Sequence, residues 1–198
     1  RRTVVNPTQA RELLTAVTYV GRRGRYGRRG ERLRAFFACL YFAALRPGEA
    51  LALRQRDCRL PDAGWGLLTL EKSRPASSKR YTDSGETHDE RGLKHRGEAE
   101  ARQVPIPPEL VAVLREHIER FGTATDGRLF QSERGNVVAA STYSRVWEEA
   151  RHLVLIPDRA DSSLAGRPYD LRHAVVSLWL NAGVPAPDVA KDGEAEGV

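Results

Sequence analysis

Two arginines constrain this chain more than any other residues. Arg46 stands in Ala43-Ala44-Leu45-Arg46-Pro47-Gly48-Glu49-Ala50-Leu51-Ala52-Leu53, and Arg172 stands 126 positions later in Pro168-Tyr169-Asp170-Leu171-Arg172-His173. Each interrupts an otherwise apolar, helix-like run. A guanidinium buried without a partner is costly, so the fold must bring each of these arginines to an anion. Arginine suits a phosphate because its planar fork binds two oxygens at once and keeps its charge at any physiological pH. With Lys94 between them in sequence, the two arginines point to a site that holds one phosphate.

The charge balance agrees with a polyanionic partner. The 198 residues carry 32 Lys and Arg against 26 Asp and Glu, a net charge of +6. Such a balance favours nucleic acid as a partner. A GC-rich genome would explain arginine in place of lysine, but not the net positive charge. Cys39 and Cys58 form no framework and read as free thiols of a reducing compartment. No metal-ligand spacing occurs, and no run approaches the about 20 apolar residues that span a membrane. The chain opens Arg1-Arg2-Thr3 with no signal peptide, and is expected to be a piece of a longer protein.

Local signals predict a mostly helical domain with a small three-stranded antiparallel sheet, an α+β fold. Asn6-Pro7-Thr8-Gln9 offers a capping box and a proline at the first helical position, opening a helix through Val20. The segment Gly21 to Gly30 holds four glycines and five arginines and is expected to be a mobile basic loop. It would be either a solvated linker or, through Arg22, Arg23 and Arg25, a contact to a phosphate backbone. Helices are predicted over Glu31–Leu45, Glu49–Leu53, Pro108–Phe121, Ser141–Leu153 and Asp170–Asn181, with a last short one from Pro185. Strands are predicted at Gly64–Leu70, Gly92–His95 and Arg102–Ile106, and irregular connections at 74–91 and 156–168. The expected organisation is one domain over residues 1–190 and a disordered tail over 191–198.

Three segments in order carry a resemblance. Leu45-Arg46-Pro47-Gly48-Glu49-Ala50-Leu51-Ala52-Leu53 resembles the first arginine box of the tyrosine recombinases, the phage integrase family. Tyr169-Asp170-Leu171-Arg172-His173, with Leu178, Leu180 and Ala182-Gly183-Val184, is similar to their second box. Gly92-Leu93-Lys94-His95-Arg96 before Arg102-Gln103-Val104-Pro105-Ile106-Pro107 resembles the sheet segment with their active-site lysine. The resemblance runs from about Asn6 to Ala190 and covers the catalytic domain alone. It implies that fold and a bacterial, cytoplasmic enzyme of DNA integration and recombination. Such an enzyme cuts one strand through a 3′-phosphotyrosine and rejoins it without metal, nucleotide or other cofactor. It further implies that Arg46 and Arg172 stabilise charge on the phosphate and that Lys94 protonates the departing 5′-oxygen. Glu49, one turn from Arg46, would orient a guanidinium, and His173 would support the site. The implied partners are double-stranded DNA and further subunits in a DNA-bound tetramer, with this chain monomeric when free.

Plainer readings stand beside these roles. Arg46 could satisfy helix-end carbonyls, Arg172 could pair with Asp170 or Glu49, and Lys94 could be a solvated residue with Lys72 and Lys79 as rivals. His88, His95, His117 and His152 read as ordinary. Two positions depart from the family pattern. Tyr169 stands where a histidine is usual; a phenol hydrogen-bonds an oxygen but, with a pKa of about 10, shuttles protons poorly at neutral pH. Past Arg172 the sequence holds no tyrosine, so no nucleophile is assigned and this chain is expected not to cleave DNA. The competing readings are a recombinase catalytic domain, a non-catalytic DNA-binding remnant of a prophage integrase, and, more remotely, a metal-independent nuclease. Arg145, on a predicted helix, is a further candidate to touch DNA.

Overall fold

A computed structural model describes residues 4–24, 27–70, 72–73, 91–92 and 101–183. In chain order the helices are α1 Pro7–Val17, α2 Arg29–Phe42, α3 Pro47–Ala52, α4 Pro108–Phe121, α5 Ala140–Val154, α6 Pro157–Ala160 and α7 Asp170–Asn181. The strands are β1 Arg23–Gly24, β2 Gly27–Arg28, β3 Cys58–Arg59, β4 Gly66–Leu70, β5 Lys72–Ser73, β6 Arg91–Gly92 and β7 Arg102–Ile106. The chain divides into two compact units, one of Arg1–Leu45 with Ser141–Val198 and one of Arg46–Ala140.

The first unit is helical. The Asn6 side chain accepts from Gln9 N–H at 2.8 Å and Gln9 returns the contact to Asn6 N–H at 3.1 Å, so α1 starts where its capping box places it. The apolar faces of α1, α2 and α5 supply the core, with Leu13, Phe36, Phe37, Leu40 and Trp147 fully buried. Phe37 packs on Trp147 with ring centres 5.1 Å apart, and Phe36 on Tyr143 at 5.0 Å. Gly30 permits the close approach of α2 to the end of α1: a Cβ there would overlap the carbonyl oxygen of Val17. The basic loop expected at 21–30 is in part ordered, since Arg23 pairs with Arg28 and Gly24 with Gly27. Its last two residues already belong to α2, whose start is fixed by Glu31 accepting from Arg28 N–H at 2.9 Å. The loop expected at 156–168 contains α6, opened by Pro157.

The second unit holds the sheet. Its order is β3-β4-β7, all antiparallel, with Gly66 opposite Ile106 and Leu70 opposite Arg102. The third strand is therefore Cys58–Arg59 and not the Gly92 segment, which pairs through Arg91 and Gly92 with Lys72–Ser73 in a separate ladder. A two-residue strand is too short to show alternation, so the sequence gives no sign of β3. On β7, Arg102, Val104 and Ile106 are buried while Gln103 and Pro105 are exposed. The helix α4 ends at Gly122 as predicted. Its buried residues are Leu110, Val111, Leu114 and His117, with Val113 and Ile118 only half-buried. The helix expected from Pro185, and the tail, lie outside the described residues.

Candidate functional site

Arg46 is half-buried and stands just before α3, not within it. Its backbone is extended (φ −74°, ψ 149°), and Pro47 takes the first helical position. The Arg46 N–H donates to Glu49 Oε2 at 2.8 Å. Glu49 therefore meets Arg46 as a cap on its backbone. The same oxygen accepts from Arg102 Nη2 at 3.0 Å. Glu49 and Arg102 are each only 2% exposed, so this is a buried ion pair. The guanidinium paired with Glu49 here is that of Arg102, a residue absent from the candidates above. Its signal was present: an arginine in phase with Val104 and Ile106 must face the same way on a strand.

Arg172 lies on the first turn of α7 and is 3% exposed. Its guanidinium donates to the carbonyl oxygen of Ala44, which takes a left-handed φ of 49° just past α2. This bond goes to a neutral carbonyl. Asp170 caps its own segment, accepting from Arg167 N–H at 2.9 Å. Tyr169 is half-buried, and its ring meets that of His173 edge to face at 4.8 Å. Tyr169, Arg172 and His173 thus share the start of α7, while Arg46 and Glu49 share the start of α3.

The approach to α7 is held by a residue that the sequence reading missed. Arg151, buried on α5, donates to the carbonyls of Leu164 (3.1 Å), Ala160 (2.7 Å) and Ser162 (2.8 Å). Trp147 Nε1 donates to Ala165 O at 2.7 Å. These four bonds fix the path of 160–165 on α5. An apolar, one-sided α5 with Arg151 four residues after Trp147 was the available hint.

The remaining candidates are distributed as follows. Arg22, Arg23 and Arg145 are exposed; Arg25, Lys94, His88 and His95 lie outside the described residues. His117 is buried with Nε2 2.9 Å from Leu129 O, a structural contact, and His152 is exposed. Among the described residues no group of three or more His, Cys, Asp or Glu could hold a metal ion. No helix among them is long and apolar enough to cross a membrane.

No protein-family model matches the sequence. The chain is 24% identical over 183 residues to a tyrosine recombinase XerC-like protein of Caldanaerobacter subterraneus subsp. tengcongensis, covering 82% of this chain and 42% of that protein. Its fold is similar to the Tn1549 transposon integrase in complex with transposon right end DNA. There the TM-score is 0.74 at 15% identity, over 100% of this chain and 59% of the other. It is likewise similar to the XerH site-specific recombinase bound to its difH substrate, with a TM-score of 0.68 at 14% identity, over 99% and 48%. The chain thus spans about half the length of the proteins it matches. The fold is that of the tyrosine recombinase catalytic domain. In sequence the chain is thus similar to a tyrosine recombinase, and in fold to the catalytic domains of integrases and recombinases.

Proposed function

We propose that this chain is the DNA-handling part of a site-specific recombinase or integrase, gripping one backbone phosphate of duplex DNA during phosphotyrosine strand exchange. Arg46 and Arg172 meet the non-bridging oxygens, where charge gathers in the transition state. Lys94 donates a proton to the departing 5′-oxygen, and Tyr169 hydrogen-bonds the phosphate. Arg22, Arg23, Arg25 and Arg145 contact the flanking backbone. No residue of this sequence is assigned as the nucleophile. The full-length protein works with other subunits on DNA.

One observation supports the reading: the arginines of the two boxes each stand at a helix start, Arg46 just before α3 and the buried Arg172 on the first turn of α7, in a fold similar to that of an integrase and a recombinase bound to DNA. The test is duplex binding by fluorescence anisotropy across a salt series. Each phosphate contact contributes about 0.9 to the slope of log K against log salt. We expect Arg46→Ala and Arg172→Lys each to weaken binding, Arg46→Ala flattening the slope by about one contact, and the double variant to lose less than the sum. Additive losses would mean that the two arginines serve different phosphates. Unchanged binding in both single variants would end the DNA-binding reading.

A further inference from the structure

We infer that Arg102 is a positioning residue for Arg46, acting through Glu49; this rests on the function proposed above. The carboxylate oxygen Glu49 Oε2 accepts two bonds at once, from Arg102 Nη2 at 3.0 Å and from the backbone N–H of Arg46 at 2.8 Å. The first fixes where the carboxylate sits. The second fixes the backbone from which the Arg46 side chain departs. Arg102 is itself held on β7, where it faces Leu70 in the ladder with β4. A line of support thus runs from sheet to Arg102, to Glu49, to the residue before α3.

Stability alone gives no reason for such a pair. A buried ion pair is commonly replaced by apolar residues of similar volume at no cost, whereas removing one partner leaves an uncompensated charge. Both side chains are 2% exposed, so bulk solvent cannot stand in for either partner. What an apolar pair could not reproduce is the charged acceptor on Arg46 N–H. A charge-assisted bond of this kind is roughly twice as strong as a neutral one, and support of this sort holds a binding residue to its working geometry.

The experiment compares the full chain with three variants, using urea melts and the salt dependence of duplex DNA binding. The variants are Arg46→Ala, the apolar replacement Glu49→Leu with Arg102→Met, and the triple combination. The apolar replacement is expected to fold and to melt within about 1.5 kcal/mol of the parent, the cost of the lost bond to Arg46 N–H. It should nevertheless bind DNA with a slope shallower by about one contact, as Arg46→Ala does, and adding Arg46→Ala should change nothing further. An apolar replacement that keeps the parent slope overturns the inference. Should it fail to fold, Glu49→Gln, which keeps the side-chain shape, takes its place; a parent-like slope there has the same meaning, and a flattened one supports the inference. If Arg46→Ala alone leaves the slope unchanged, the proposed DNA contact falls and takes this inference with it. That outcome is distinct from one in which Arg46→Ala flattens the slope and the pair replacement does not.

Discussion

Replacing Arg151 with methionine keeps the apolar stem and removes three bonds from the guanidinium to backbone carbonyls, those of Ala160, Ser162 and Leu164. Hydrogen bonds to a charged group contribute about 1.5–3 kcal/mol each. Ser162 is an exposed residue, so its carbonyl regains water in the variant. Ala160 and Leu164 are buried, and their carbonyls lose their partner. Counting those two at the lower half of the range gives a loss of about 3–4.5 kcal/mol. In a chain of this length each kcal/mol lowers the melting midpoint by about 2–4 °C, so Arg151→Met should melt about 6–18 °C below the parent. Near-UV circular dichroism is a suitable probe, because Trp147 is bonded to Ala165 in the same segment. Arg159→Met, at an exposed position, is the control and should stay within about 0.5 kcal/mol. An Arg151→Met midpoint within about 2 °C of the control, the smallest shift that 1 kcal/mol would give, would refute the claim that these carbonyls depend on Arg151.

Three further outcomes concern Gly30 and Cys58. Gly30→Ala should destabilise by about 3 kcal/mol in a urea melt, because the added Cβ overlaps the Val17 carbonyl. Helix propensity alone gives the opposite sign, a gain of about 0.5–1 kcal/mol, so a stabilised Gly30→Ala variant would show that α1 and α2 do not approach as described. The Cys58 thiol is half-buried and donates to Arg54 O at 3.3 Å. Burial, with the nearby Asp57 charge adding to it, pushes its pKa up to about 12 from an ordinary value of 9.0. The folded thiol should therefore resist alkylation at a pH of about 8.5, near the ordinary thiol pKa, and react once the chain is unfolded in urea. Because its folded pKa lies above the unfolded one, its contribution to stability is complete below about pH 9 and is lost as pH rises from about 9 to about 12. Cys58→Ala should flatten that decline, and an equally steep decline in the variant would remove Cys58 as its cause.

The local grammar of the chain was readable. Asn6-Pro7-Thr8-Gln9 specified the start of α1, Pro107-Pro108 and Gly122 bounded α4, and the alternation in Gly64–Leu70 marked β4. The two arginine boxes and their order carried the resemblance, and with it the fold, before any coordinates. Less readable were elements whose evidence is short or non-local. Cys58–Arg59 has too few residues to show a period, and it became a strand only because β4 offers it a partner. In 21–30 the glycines and arginines read as a loop, but Glu31 three residues after Arg28 was a capping signal that moves the start of α2 back to Arg29.

What the sequence determined by itself is therefore which segments turn or extend, and which side chains must find a partner if buried. A backbone period of 3.6 or 2 and a side chain that caps three residues away act within one segment, so they are written in it. Which partner each buried charge finds was decided by the tertiary structure. Glu49 meets Arg102 53 residues away, Arg172 meets Ala44 128 residues away, and Arg151 gathers three carbonyls of a loop. A buried guanidinium demands acceptors but does not name them; packing elements distant in sequence makes that choice.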